Sequence, residues 1–195
     1  MFVDKFIYEQ TPLEFREDIK RSIGYLANLI GDRIISYRAP YFSVTKESLW
    51  ALDIMKEEGI KYDSSIFPVI NYRYGIPGSN RLPYQLSNEI WEWPITTFQT
   101  FFGNIPFAGG VYFRFLPAFI TNYFISTLLK KEEPVLLYFH PWEFDPDQPK
   151  LKNVSLFLRF RHYHKLKSNF YRFSSFLKYM KTISLKNGIE SLTKV

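Results

Sequence analysis

The chain has 195 residues, enough for one substantial core and for a single domain or the larger part of one. It contains no cysteine, which excludes disulfides and thiolate metal sites, and no window approaches the ~18 uninterrupted apolar residues of a membrane span. The net charge of +6 brings nucleic acid and anionic membrane surfaces into view, but no zinc finger, basic repeat or RNA-binding aromatic signature accompanies it, so nucleic acid is not expected as a partner.

The opening residues, "MFVDKFIYEQ", have neither a basic n-region nor an apolar h-region, and the expected location is cytoplasmic. A helix is predicted over "TPLEFREDIKRSIGYLANLIG": Thr11, Pro12 and Glu14 form a start signal, Gly31 a stop, and Phe15, Ile19, Ile23, Leu26 and Ile30 recur at spacings of three and four. "RIISYRAPYFS" reads as a short strand ended by proline, "TKESLWALDIMKEEG" as a second capped helix closed by Gly59, and "IKYDSSIFP" as a second strand. Helix and strand alternating in this way is the rhythm of an α/β protein with a parallel sheet. "VINYRYGIPGSNRLPYQLSNE" reads as loops with edge hairpins, and "IWEWPITTF" as another strand. "FLPAFITNYFISTLLKKEE" is helical after Pro117, and "PVLLYFHPW" is a nearly continuous apolar run of the kind buried in parallel sheets. One basic amphipathic helix is predicted over about residues 155–181, through Phe160, Tyr163, Leu166, Phe170, Phe173, Leu177 and Met180. Residues 1–195 are read as one domain.

Three apolar runs end in one ionisable residue each: "IISY" in Arg38, "IKY" in Asp63 and "VLLYF" in His140. Ligands of α/β sheets and barrels bind beyond the carboxyl ends of parallel strands, where loops diverge and side chains converge. Each residue has a plainer reading. Arg38 could form a structural ion pair, Asp63 could cap a turn, and His140 could be a satisfied core histidine. Their joint placement favours chemistry, because an imidazole can act as a general acid near neutral pH. His162 and His164 in "FRHYHKL" are turned to different sides by helical spacing, which argues for a structural or substrate-edge role over a metal.

With these residues in hand, the chain resembles the polysaccharide deacetylases, the NodB-homology or carbohydrate esterase family 4 group, in the branch found with exopolysaccharide loci. The matching stretches are "YEQTPLEFREDI", "YRAPYFSV", "GIKYDSSIFP", "RYGIPGSNR", "WEWPITT", "GGVYFRFLP" and "LYFHPWEFDPDQP". The resemblance implies a distorted (β/α) barrel and a hydrolase that removes N-acetyl groups from amino-sugar polymers by means of a divalent, zinc-like metal. Carried onto this chain, it makes Arg38 the arginine that orients the catalytic base, Asp63 the acid that tunes the late histidine, and His140 the general acid. The Tyr41 N–H becomes the oxyanion donor, and Tyr41, Trp91, Trp142 and Glu143 are assigned to substrate.

The family's early Asp-Asp motif and its His-x-x-x-His have no counterpart here. The second of those histidines aligns with Asp4 and the first falls before Met1, so metal ligands are expected to be missing and the barrel to lack its first strands. An open strand edge favours a complementing polypeptide or a homo-oligomer. A second reading is a non-catalytic carbohydrate-binding or regulatory remnant with an aromatic groove that includes Trp91, Trp93 and Trp142. A third is a membrane-surface or nucleic-acid contact through the C-terminal helix.

Overall fold

The structure, a computed structural model, describes residues 5–71 and 73–192. Asp4 therefore lies outside the described residues. The chain forms two compact units, Met1–Asn104 and Ile105–Val195.

The first unit is built on capped helices packed beside a small sheet. Helix α1 (Pro12–Ile30) begins with a reciprocal cap: the Thr11 hydroxyl accepts from the Glu14 N–H at 3.3 Å, and the Glu14 carboxylate accepts from the Thr11 N–H at 2.8 Å. It ends at Gly31, whose φ of 69° suits a residue without a Cβ. Phe15 and Ile19 are buried and Ile23 packs against the core, whereas Leu26 and Ile30 of the same predicted stripe are 45% and 60% exposed, so the last two turns of the helix stand away from it. Helix α2 (Trp50–Glu57) follows a 3-10 turn over Lys46–Ser48, and the Arg16 guanidinium of α1 pairs with Glu57 and, at 3.0 Å, with Glu58. Ile7, Phe15, Ile19, Val44, Met55 and Ile60 are buried in the shared core, and each such side chain stabilises the unit by roughly 1.5–3 kcal/mol relative to exposure.

Four two-residue strands form the sheet: β1 (Ser36–Tyr37), β2 (Tyr62–Asp63), β3 (Tyr84–Gln85) and β4 (Trp91–Glu92), in the order β1-β2-β4-β3. The first three neighbours run parallel, and β3 folds back antiparallel as an edge, which accounts for the turn-rich middle segment. The register aligns Tyr37, Asp63, Glu92 and Tyr84 in one row across the sheet. A two-stranded ribbon, β5 (Thr97–Thr100) and β6 (Gly103–Pro106), occupies the stretch where the chain leaves this unit. The arrangement is mixed α/β, and among the described residues the strands do not close into a barrel.

The second unit is mainly helical: α3 (Gly110–Phe115), α4 (Ala118–Lys130), α5 (Leu156–Tyr163), α6 (Leu166–Lys178) and α7 (Leu185–Leu192). Its core includes Phe113, Ile125, Leu128 and Leu166. Two expectations are corrected here. Residues 134–139 are not a buried central strand. Among the described residues this run forms an isolated parallel bridge, Tyr138 to Gly109, and its side chains are half-buried. Packing holds it instead, with Phe139 against Phe113 at 5.1 Å and Phe173 at 4.7 Å. The basic helix expected over about residues 155–181 is two helices, α5 and α6, broken at Lys165, which adopts φ 55°. The cause is remote in sequence: Arg114 of α3 donates through one guanidinium nitrogen to the carbonyls of His162 and His164, each at 2.9 Å, and so caps the end of α5.

Candidate functional site

In the first unit the candidate residues sit at strand ends, as parallel topology requires. Arg38 follows β1 and Asp63 ends β2. The register sets Asp63 level with Tyr37, one residue before Arg38. Arg38 accordingly meets Ser64, donating from Nε to the Ser64 carbonyl at 3.1 Å and from a terminal nitrogen to the Ser64 hydroxyl at 2.9 Å. Asp63 is wholly buried, and its Oδ1 accepts from the Ser65 hydroxyl at 2.6 Å. Ser65 in turn accepts from the Ala39 N–H at 2.8 Å, so a short chain of hydrogen bonds ties Asp63 to the start of the "RAPYF" turn.

That turn is strained. Tyr41 and Phe42 both have positive φ, 56° and 55°, a region costly for residues with a Cβ. The Tyr41 ring is 55% exposed, 5.0 Å from Phe6, with the Arg73 guanidinium 6.0 Å away.

Glu92 is the residue that sequence reasoning missed. It is the register partner of Asp63 and equally buried, and its Oε1 accepts from the Ile66 N–H at 3.0 Å. Two carboxylates enclosed side by side cannot both ionise. Burial, then the charge of Asp63, pushes Glu92 well above the usual carboxylate range. Burial raises Asp63 too, against the bonds from Glu92 and Ser65. Next in the row, Tyr84 is pushed up to about 12 by burial and then by its neighbours Glu92 and Asp63. An acid between two tryptophans in "WEWP" was the available signal. Of those tryptophans, Trp93 is buried at 6% exposure and Trp91 is half-buried in the sheet.

His140, exposed, belongs to the second unit. Its Nε2 lies 2.6 Å from the Tyr138 hydroxyl, a contact the sequence did not announce. The His140 N–H donates at 2.9 Å to Glu143, whose other oxygen is 3.3 Å from the Arg114 guanidinium. Glu143 is therefore buried and engaged on both oxygens, and its carboxylate is not offered to a substrate. Gly110 is required beside it, because a Cβ there would overlap the Glu143 carboxylate. The Trp142 ring stacks on His162 at 4.3 Å and an 8° interplanar angle, with Arg114 5.2 Å from its centroid. His164 stacks instead on Phe115 at 4.3 Å, so the two neighbouring histidines serve separate aromatic contacts.

Among the described residues no group of three or more His, Asp or Glu is gathered closely enough to hold a metal ion. The zinc-like cation implied by the resemblance finds no fitting set of ligands among them. No helix among the described residues is long and apolar enough to cross a membrane.

These features define an α/β protein with a polar cluster at the carboxyl ends of its parallel strands. The chain belongs to the family described as Domain of unknown function (DUF3473), which matches residues 64–189. Ser65, Glu92, His140, Trp142 and Glu143 fall inside that match, and Arg38, Tyr41 and Asp63 precede it. No curated protein and no solved structure matched the chain.

Proposed function

We propose that the chain is part of a polysaccharide deacetylase-like hydrolase, an incomplete distorted (β/α) barrel acting on the C–N amide bonds of N-acetylated amino-sugar polymers. The observation that supports this reading is the placement of Arg38 and Asp63 at the carboxyl ends of adjacent parallel strands, linked through Ser64 and Ser65 to the strained turn bearing Tyr41. In this reading the Tyr41 N–H receives charge developing on the amide oxygen, and the exposed Tyr41 ring offers a face to a sugar. Asp63, being enclosed, is a positioning residue: through Ser65 it holds the turn. The resemblance makes His140, whose ring is held by the Tyr138 hydroxyl, a proton donor.

A divalent cation, where the family uses one, would need ligands from outside the described residues, supplied by a complementing polypeptide or a second copy. The purified chain with added zinc is accordingly expected to release little acetate from chitooligosaccharides, while binding them. Calorimetry is expected to show that binding falls in Tyr41→Ala and Arg38→Ala. Absence of any glycan binding would overturn the reading. Glycan binding that no complementing segment ever converts to acetate release would favour a carbohydrate-binding remnant.

A further inference from the structure

Helix α5 is inverted with respect to an ordinary surface helix. It buries none of its side chains, and its large apolar residues face outward: Leu156 is 83% exposed, Phe157 73% and Phe160 57%. At about 100° per residue these three share one arc, flanked by Arg159 on one side and Arg161 on the other. The opposite side carries His162, which rests on Trp142. Beside the arc lies a shallow groove of about 500 Å³, lined by Lys150, Leu156, Arg159, Phe160, Tyr163 and His164.

The charge along the segment that carries α5 is of one sign. No acidic residue occurs between Asp147 and Glu190, whereas Lys150, Lys152, Arg159, Arg161, Lys165 and Lys167 all fall in that stretch. A second copy docking face to face would set these cations against their own counterparts with no acid from the segment between them, and an eight-residue helix is small for a stable dimer contact. An apolar arc rimmed by arginines instead matches the boundary between acyl chains and anionic headgroups.

We infer that α5 docks this protein on an anionic lipid surface, with Leu156, Phe157 and Phe160 in the acyl boundary and Lys150 and Arg159 holding a headgroup phosphate in the adjoining groove. This goes beyond the hydrolase reading and does not depend on it.

Flotation of the full chain with vesicles tests the inference. The protein is expected to float with phosphatidylcholine vesicles containing phosphatidylglycerol, not with phosphatidylcholine alone, and to detach as salt rises. Phe157→Asp with Phe160→Asp, and separately Lys150→Glu with Arg159→Glu, are each expected to lower partitioning by about tenfold. Lys150, Phe157 and Arg159 are exposed, whereas Phe160 also packs against Phe115 at 5.8 Å and His164 at 4.8 Å, so the Lys150 and Arg159 pair, expected to leave circular dichroism and the unfolding midpoint unchanged, controls for lost packing in the phenylalanine pair. No flotation, equal flotation with neutral vesicles, or variants that float like the parent would overturn the inference. So would tighter binding to an oligonucleotide than to the vesicles, or self-association lost in the variants without any vesicle binding.

Discussion

Asp63 and Glu92 are register partners on adjacent parallel strands, and both carboxyl groups are wholly enclosed. Ser65 donates to Asp63 and the Ile66 N–H to Glu92, which fixes one oxygen of each carboxyl group. Asp63 begins the hydrogen-bond chain that runs through Ser65 to the Ala39 N–H ahead of the Tyr41 turn.

The folded protein binds the Glu92 proton more tightly than the unfolded chain does. Stability must therefore fall as pH rises from the ordinary carboxylate range through the raised folded value, and level off above it. Glu92→Gln keeps an acceptor for the Ile66 N–H and supplies a permanent donor to Asp63. Urea unfolding should show this variant more stable than the parent at about pH 8, with the advantage gone at about pH 4.

Arg114 is fully buried, neutralises Glu143 and closes the end of α5. Arg114→Met leaves a buried carboxylate uncompensated and orphans the carbonyls, which should cost about 3–5 kcal/mol. Adding Glu143→Met should cost less than the sum of the two single changes, as a double-mutant cycle in urea would show.

Gly110→Ala places a methyl group on the Glu143 carboxylate. Overpacking of this kind should lower stability by about 1–3 kcal/mol. Glu143→Ala in the same chain should relieve the overlap, so the effect of the glycine substitution would shrink in that background.

His162 and His164 are both lowered from the usual imidazole value, by burial first and then by nearby cations, Arg114 among them. The folded state thus resists their protonation. Stability should fall as pH drops below the ordinary histidine range, until the lowered folded values are passed. His162→Gln should flatten part of that decline, and proton NMR of the two rings should place both midpoints below that of a model imidazole.

Helix α1 was legible because its signals are local: a reciprocal cap, a proline at its first position and a glycine at its end. Arg38 and Asp63 were found for a similar reason, since a charge closing an apolar run marks a strand end. The break at Lys165 was hidden because Arg114, the side chain that causes it, lies about fifty positions away. The run at residues 134–139 was over-read because apolar continuity does not report how many neighbours a strand has. Glu92 escaped because its meaning depends on its register with Asp63, a pairing across a turn-rich excursion that no local pattern encodes.

The attachment of α5 carries a dynamic consequence. With no buried side chain, α5 is held by contacts near the surface: its last carbonyls on Arg114, His162 on Trp142 and the Tyr163 hydroxyl on the Pro149 carbonyl. Its amide hydrogens should exchange with solvent well ahead of those of α6, through a local opening that leaves the remainder of the chain intact.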